Sequence, residues 1–291
     1  MDSSGEFLSQ TGDANFSTGK SLSGVIGIIG GSGLCSLPGF NIQKEVDVDT
    51  PYGKPSSAIS VGDCNGSRIA FLPRHGKDHT ILPHKVPYKA NLFALKSVGA
   101  NHVIATCVVG SLQESIAPGT LVILDQFINF TWGRDDTSTV DSEVVHLGMS
   151  APYCSHLSGI MERELELSGI PHRIGGTVVV IQGPRFSTVA ESKMFMLWGG
   201  HVVNMTQYPE CYFAHELGIC YGAVASVTDY DVGVPSSLSM QPGNMEKVLA
   251  IFQSNTVNTL KLISRLAGHA TELVTCNCAG TRIAEYYKAR S

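Results

Sequence analysis

The residues best able to do chemistry in this chain stand where short apolar runs stop. Thr228-Asp229-Tyr230-Asp231 follows the run at 223–227. In extended backbone, side chains two apart point to one face, so both carboxylates address the same space. Two acidic groups beside a hydrophobic strand need hydrogen-bond donors or a metal to offset their burial. No third carboxylate or His stands nearby at ligand spacing, which favours donors over a metal. Adenine supplies such an edge: its N6 amino group donates, and its N7 accepts a proton. A carboxyl near N7 can therefore act as general acid as a base departs.

Other run ends carry donors. Pro73-Arg74-His75-Gly76 closes the run at 69–72 with a compact cationic pair, in which the Arg suits bidentate oxygen contacts. A surface ion pair beside a hydrogen-bonded His is the plainer reading of the same residues. Gly30-Gly31-Ser32-Gly33-Leu34 reads equally as an anion cradle of converging N–H groups and as a tight strand exit. It is not a dinucleotide fingerprint, because the sixth position counted from Gly31 is Ser36, and a nicotinamide-dependent dehydrogenase has no other support. Asn204-Met205-Thr206 offers a hydroxyl and a soft, adaptable side chain, for a ligand or for the core. Phe186, in Gly183-Pro184-Arg185-Phe186-Ser187, can stack on an aromatic ligand or cap the core. Cys276-Asn277-Cys278 is too close-spaced for tetrahedral zinc without a second pair, and Cys211 and Cys220 fall in no such pattern. These thiols read as incidental and no metal is expected.

The elements that must hold these residues follow from periodicity. Runs at 25–29, 69–72, 102–106, 121–124, 177–181, 202–205 and 223–227 are near-continuously apolar and closed by Gly, Pro or polar clusters, as strands buried on both faces are. Tyr88, Leu92, Leu95 and Val98 repeat at helical spacing. So do Leu157, Met161 and Leu165, and further on Met245, Val248, Leu249, Phe252, Leu260 and Ile263. Thr188-Val189-Ala190-Glu191 is a capping box that opens a helix running to Trp198. Strands alternating with helices predict a single α/β domain over 24–291, with a central mixed, largely parallel twisted sheet flanked by helices. In such sheets ligands sit outside the carboxyl ends of the strands, where the donor-bearing segments fall.

Composition bounds the function. Charged residues make up 15% of the 291, and the 25 Asp plus Glu exceed the 20 Lys plus Arg. No global charge draws in nucleic acid or an anionic membrane, so an anionic ligand needs a local site. A surface this poor in charge fits a chain that hides part of it in an oligomer. Residues 1–23 lack the basic start and apolar run of a signal peptide and read as a disordered Ser/Gly-rich tail. No later stretch has the apolar length of a membrane span, and eight scattered cysteines show no disulfide framework. A soluble protein of the reducing cytoplasm is expected.

Taken together, Gly27 to Leu34, Thr50 to Ser56, Pro73 to Gly76, Gly110 to Leu112, Pro118-Gly119, Asp125 to Phe127, Gly183 to Ser187, Asn204 to Thr206, Pro209-Glu210 and Thr228 to Asp231 resemble a known family. It is that of the trimeric purine nucleoside phosphorylases and methylthioadenosine phosphorylases, and the motifs keep its order and spacing over about 24–267. The resemblance implies that inorganic phosphate, a co-substrate with no further cofactor, attacks C1′ of a purine nucleoside through an oxocarbenium-like transition state. The phosphate site would comprise Ser32, Arg74, His75, Thr206 and the backbone of Val108, with Met205 against the ribose and Phe186 on the base. Ser187 stands where 6-oxopurine phosphorylases resemble one another in carrying Glu, and Asp229 where they carry Asn. Asp229 is then the acid toward N7 and Asp231 the partner of N6. His146 would reach a neighbouring subunit's 5′ pocket in a homotrimer, with Met245, Val248 and Leu249 lining that pocket. Departures are Cys107, where many relatives have a hydroxyl residue, and Val232-Gly233 in place of Cys-Trp. The expectation is salvage phosphorolysis of 5′-methylthioadenosine, and of adenosine, to adenine and a ribose 1-phosphate. An inosine or guanosine phosphorylase, and a nucleoside-binding homologue without catalysis, are the alternatives.

Overall fold

The computed structural model describes residues 24–31, 37–136, 147–235, 244–273 and 276. The expected tail at 1–23, Ser32, His146 and Cys278 lie outside the described residues.

The longest strand, β5 (Ala100–Ser111), is buried over most of its length and so must be covered on both faces. Its parallel neighbours are β1 (Val25–Gly30) on one side and β11 (Cys220–Tyr230) on the other. Beyond β1 come parallel β4 (Ser67–Pro73), then antiparallel β3 (Ile59–Cys64) and β2 (Asn41–Val46). The far end of β5 pairs antiparallel with β10 (Val202–Asn204), which leads in parallel register to β9 (Thr177–Ile181) and β7 (Gln126–Phe130). β11 also pairs antiparallel with β6 (Leu121–Ile123), and β6 runs parallel to β8 (His172–Ile174). The sheet is thus mixed and largely parallel, as the pattern predicts.

Side-chain alternation sends neighbouring residues of β5 into two cores. Val103 and Ala105 join a core with Leu92 and Leu95 of α1 (Tyr88–Ser97) and Phe213 of α4 (Gln207–Glu216). Ile104 faces the other way, toward Leu157 and Met161 of α2 (Ser155–Ser168) and Leu262 and Leu266 of α5 (Met245–Ala267). The short α6 (Ala270–Leu273) follows α5.

All seven predicted strands and the predicted helices form. The periodic pattern missed β2, β3, β7, β8, α4 and α6. β2 is an exposed edge strand of mostly polar residues, β3 is interrupted by Gly62 and Asp63, and β8 has three residues. Pro209 and Glu210 obscure α4, whose backbone breaks from helical angles at Tyr208.

The helix α3 (Val189–Leu197) opens on the predicted capping box. The Thr188 hydroxyl accepts from the Glu191 N–H at 3.1 Å, and the Thr188 N–H donates to the Glu191 carboxylate at 2.8 Å. Arg185 braces that carboxylate at 2.7 Å and holds it at a pKa of about 2. The loop after β11 lies so close to α3 that a Cβ on Gly233 would meet the Ser192 hydroxyl at 2.5 Å. Replacing Thr188 with Ala removes one half of the box, and a loss of about 1 kcal/mol is expected. Differential scanning calorimetry should show Tm falling by roughly 2–4 °C.

Candidate active site

The carboxyl ends of β1, β4, β5 and β11 and the end of β10 surround one cavity of about 560 Å³. Its wall includes Arg74, His75, Val108, Phe186, Ser187, Met205, Thr206, Asp229 and Asp231, with Gly31 standing for the glycine loop. Nine residues singled out from sequence thus meet at one place.

One end of the cavity is polar and cationic. Arg74 is 2% exposed and donates from Nε and Nη2 to both oxygens of Glu210 at 2.6 and 2.8 Å, while Nη1 donates to the Thr106 carbonyl at 2.8 Å. Burial works against the guanidinium charge, but the adjacent Glu210 carboxylate outweighs it and holds the proton more tightly. A guanidinium has five N–H groups, so two of them remain for an anion. His75 bonds the Ile81 carbonyl through Nδ1 at 2.8 Å, which places the proton there in the neutral ring and leaves Nε2 as the acceptor. Burial lowers its proton affinity, the Ile81 carbonyl opposing and Arg74 adding to that effect. Thr206 is fixed by Asn204, whose side-chain oxygen accepts from the Thr206 N–H at 2.8 Å and whose amide donates to the Thr206 hydroxyl at 3.1 Å. Cys107 packs into the core and also lines the cavity, and burial pushes its thiol up to about 12, so it adds no competing negative charge.

The other end carries the carboxylates. The β5–β11 register slips between Val227 and Asp229, making Thr228 the extra residue of a bulge. A bulge re-aims the side chains beyond it. Thr228 donates its hydroxyl to Asp229 at 2.7 Å, and the Asp231 N–H donates to the Ser111 carbonyl at 2.8 Å. Both carboxylates are 6% exposed and line the cavity together, as their spacing predicts. Burial raises the Asp231 carboxyl above its ordinary value, with the Ser192 and Ser187 hydroxyls pulling it back. Among the described residues, Asp231 Oδ2 and Ser187 Oγ nonetheless form no hydrogen bond of good geometry, although both atoms are buried. Unmatched polar atoms facing a cavity are where a ligand edge can bind.

Between the two ends the wall is apolar, with Val108, Ile181, Val203, Met205 and Phe252. Gly183, at φ +64°, lets Met205 approach to where a Cβ would lie 2.5 Å from its sulfur. Phe186 stands 57% exposed on the wall.

The expected 5′-pocket residues require a correction. Met245 and Leu249 are 41% and 54% exposed, Val248 is buried in the fold, and none of the three lines the cavity. Phe252, Asn255, Thr256 and Thr259 do so instead. Met245, Leu249, Phe252 and Thr256 follow one helical stripe, so periodicity identifies the face of α5 but not which turn meets the cavity. The thiols need a second correction. Cys220 and Cys276 are not isolated: with Cys154 they bring three sulfurs within 4.8 Å of one another.

A model of the Phosphorylase superfamily matches residues 25–267. The S-methyl-5′-thioadenosine phosphorylase of Nitrosopumilus maritimus is 43% identical over 255 residues, 87% of this chain and 95% of that one. The chain belongs to the methylthioadenosine phosphorylase family of that superfamily. A methylthioadenosine phosphorylase from an antarctic soil metagenomic library superposes with a TM-score of 0.80 at 35% identity, covering 88% of this chain and 90% of that one. A mutant adenosine/methylthioadenosine phosphorylase of Schistosoma mansoni, solved with methylthioadenosine, gives 0.78 at 32% identity over 90% and 96% of the two chains. The phosphorylase fold and a pentosyltransferase activity on nucleosides follow from this membership.

Two further residues hold the phosphorylase cavity in shape without having been singled out for a role. Glu210 is fully buried against Arg74 and also accepts from the Tyr221 hydroxyl at 2.7 Å. Arg134 donates to the backbone carbonyls of Ile181, Gln182, Met205 and Tyr208, tying together the segments after β9 and β10. Pro209-Glu210 marked the first as part of a motif, and nothing in its spacing showed a partner 136 positions away. Replacing Glu210 with Ala leaves the Arg74 charge buried and uncompensated, and a loss of about 3–5 kcal/mol is expected. Urea titration should show the unfolding midpoint shifted down accordingly; a midpoint within error of the parent would remove Glu210 from this role.

Proposed function

We propose that this chain catalyses phosphorolysis of 5′-methylthioadenosine to adenine and 5-methylthioribose 1-phosphate, with adenosine a further substrate. The observation that carries the reading is the pair of unmatched buried atoms, Asp231 Oδ2 and Ser187 Oγ, in the same cavity as Arg74, His75 and Thr206. An acceptor carboxylate suits an exocyclic amino group, and a donor end suits inorganic phosphate. Thr106, under the guanidinium, and Ser111, under Asp231, are separated by roughly 16 Å of strand β5, with the apolar wall between them.

In this reading phosphate is held by the free N–H groups of Arg74, by His75, by the Thr206 hydroxyl and by backbone near Val108, with Ser32 completing the set. A phosphate oxygen forms the new bond to C1′ as the C1′–N9 bond breaks, and the electron pair passes to the purine. Asp229 delivers a proton to N7, neutralising the departing base, while Asp231 accepts from N6 and Ser187 completes that edge. Phe186 stacks on the base and Met205 packs on the ribose. No metal or organic cofactor takes part. Phe252 and Thr256 of α5, which line the cavity, form the wall of the 5′ pocket, and His146 of a neighbouring subunit completes it.

Assaying release of free base from methylthioadenosine, adenosine and inosine tests the assignment. Methylthioadenosine should be preferred, and preference for inosine would overturn the carboxylate-pair argument. Asp229→Asn should lower turnover of methylthioadenosine by about 10²–10⁴-fold, the usual scale of a general acid, and shift preference toward 6-oxopurines. An unchanged profile counts against Asp229 as the acid.

The homotrimer is part of the same proposal, with the cytoplasm as its location. Supporting it, α3 and the turn after it carry Val189, Met196, Leu197 and Trp198 on the outside, with Leu197 87% exposed, close in sequence to the cavity residues Phe186 and Ser187. An apolar face of this kind calls for a partner surface. Among the described residues no helix is long and apolar enough to cross a membrane. Sedimentation equilibrium should give a mass three times that of the chain, and a fully active monomer would refute the shared-pocket arrangement.

A further inference from the structure

At the amino ends of the central strands, remote from the cavity, three thiols and one imidazole come together. Cys220 opens β11 and is the register partner of His102 in β5, so the two side chains stand side by side on one face. Cys154 immediately precedes α2 and is tied to β11 by its N–H, which donates to the Tyr221 carbonyl at 2.8 Å. Cys276 follows α6. The Cys276 sulfur lies 3.4 Å from that of Cys154 and 3.8 Å from that of Cys220. Cys154, Cys220 and His102 are 2%, 3% and 7% exposed, and the buried Nε2 of His102 has no hydrogen-bond partner among the described residues.

We infer that Cys154, Cys220 and Cys276, whose sulfurs lie within 4.8 Å of one another, form a structural zinc site that the His102 ring, outside that trio as it stands, completes by rotation of its side chain. A tetrahedral thiolate site with Zn–S bonds of about 2.3 Å has sulfur–sulfur edges of roughly 3.8 Å. The observed 3.4 and 3.8 Å lie near that edge and are far longer than the roughly 2.0 Å of a disulfide. A disulfide would consume two of the three sulfurs and leave the third thiol and the imidazole unmatched. A fourfold S₃N set uses them all. The thiols each lose a proton to solvent on binding, and the imidazole coordinates through its neutral nitrogen. His156, the other imidazole facing this region, is engaged with the Glu272 carbonyl at 3.0 Å. Soft sulfur with one nitrogen selects zinc over the hard divalent cations.

The site joins the segment beyond α6 to the first residues of two central strands. It lies about nine residues, roughly 30 Å of strand, from Asp229 along β11. Its role is therefore structural and separate from phosphorolysis.

The full-length chain, purified under reducing conditions without chelator, should carry close to one zinc per chain by plasma mass spectrometry. Titrating the metal-free, reduced protein with Co²⁺ should produce thiolate-to-metal charge-transfer absorption and the intense d–d bands of a tetrahedral site. Cys220→Ser and His102→Gln should weaken Co²⁺ binding by more than the roughly 10–100-fold that loss of an outer-shell partner costs. Base release from methylthioadenosine checks that these variants are folded. If they fail to fold, the titration of the parent protein decides alone. Reduced parent protein that gives no charge-transfer band overturns the inference. So does peptide mapping of the freshly isolated protein that finds two of the three cysteines joined as a disulfide.

Discussion

The buried ion pair of Arg74 and Glu210 links the end of β4 to α4, and the Tyr221 hydroxyl on the same carboxylate adds β11. Three elements distant in sequence are thereby fixed around one guanidinium. The charge arithmetic at this point constrains the rest of the cavity. Because Glu210 cancels Arg74, the pair brings no net positive charge to an incoming anion, only directed N–H groups whose orientation was set during folding. Such donors need no reorganisation when charge arrives, which is the condition under which a buried electrostatic site is most effective. It also explains how a chain with more acidic than basic residues can hold phosphate in a local site. Any further compensation must come from His75, whose burial-lowered proton affinity an adjacent anion would raise, and from neutral donors such as Thr206.

The carboxylate end obeys the opposite rule. Asp229 and Asp231 gain entry to a buried wall through a strand bulge and neighbouring hydroxyls. Burial raises the Asp231 carboxyl above its ordinary value, and the Ser192 and Ser187 hydroxyls oppose that rise. Guanidinium and carboxyls share one cavity without cancelling each other because Glu210 has already taken the Arg74 charge. Removal of Glu210 would therefore alter more than stability: a free guanidinium in the same cavity would draw on the carboxylates that the reaction needs to keep.

Much of this was legible in the sequence because it was local. Strand runs end in glycine, proline or charged residues, and the parallel topology makes those ends converge, so Arg74, Thr206 and Asp229 could be placed in one site before any contact was known. The spacing of Asp229 and Asp231 survived because the bulge falls before the pair and not within it. What was not legible depended on partners far apart in the chain. Glu210 and Arg134 act through contacts spanning 136 and up to 74 positions. The cavity-facing turn of α5 depends on how that helix is docked, which a repeating apolar stripe leaves undetermined. The thiol cluster was missed for the same reason: close spacing of Cys276 and Cys278 drew attention to a local motif, whereas the geometry is completed by Cys154 and Cys220 from other elements.

Helix α5 passes between the two ends of the sheet, which raises the question of whether the thiol–imidazole cluster and the cavity are mechanically coupled. The contacts along the helix argue that they are not. Asn255 donates to the Val227 carbonyl at 2.8 Å, and the Thr259 and Ser226 hydroxyls lie 3.1 Å apart, pinning the cavity-facing turns directly to β11. Farther along, Leu262, Ile263 and Leu266 are buried in the core against α2, and Arg265 bonds Glu164 at 2.6 Å. Each of these anchors lies before the chain reaches Cys276. Packed interiors resist sliding of one element over another, because any shift would break close contacts all along the face. A metal bound beyond the last anchor can therefore order the chain that follows α5 while the position of Phe252 and Thr256 in the cavity wall stays set by packing alone.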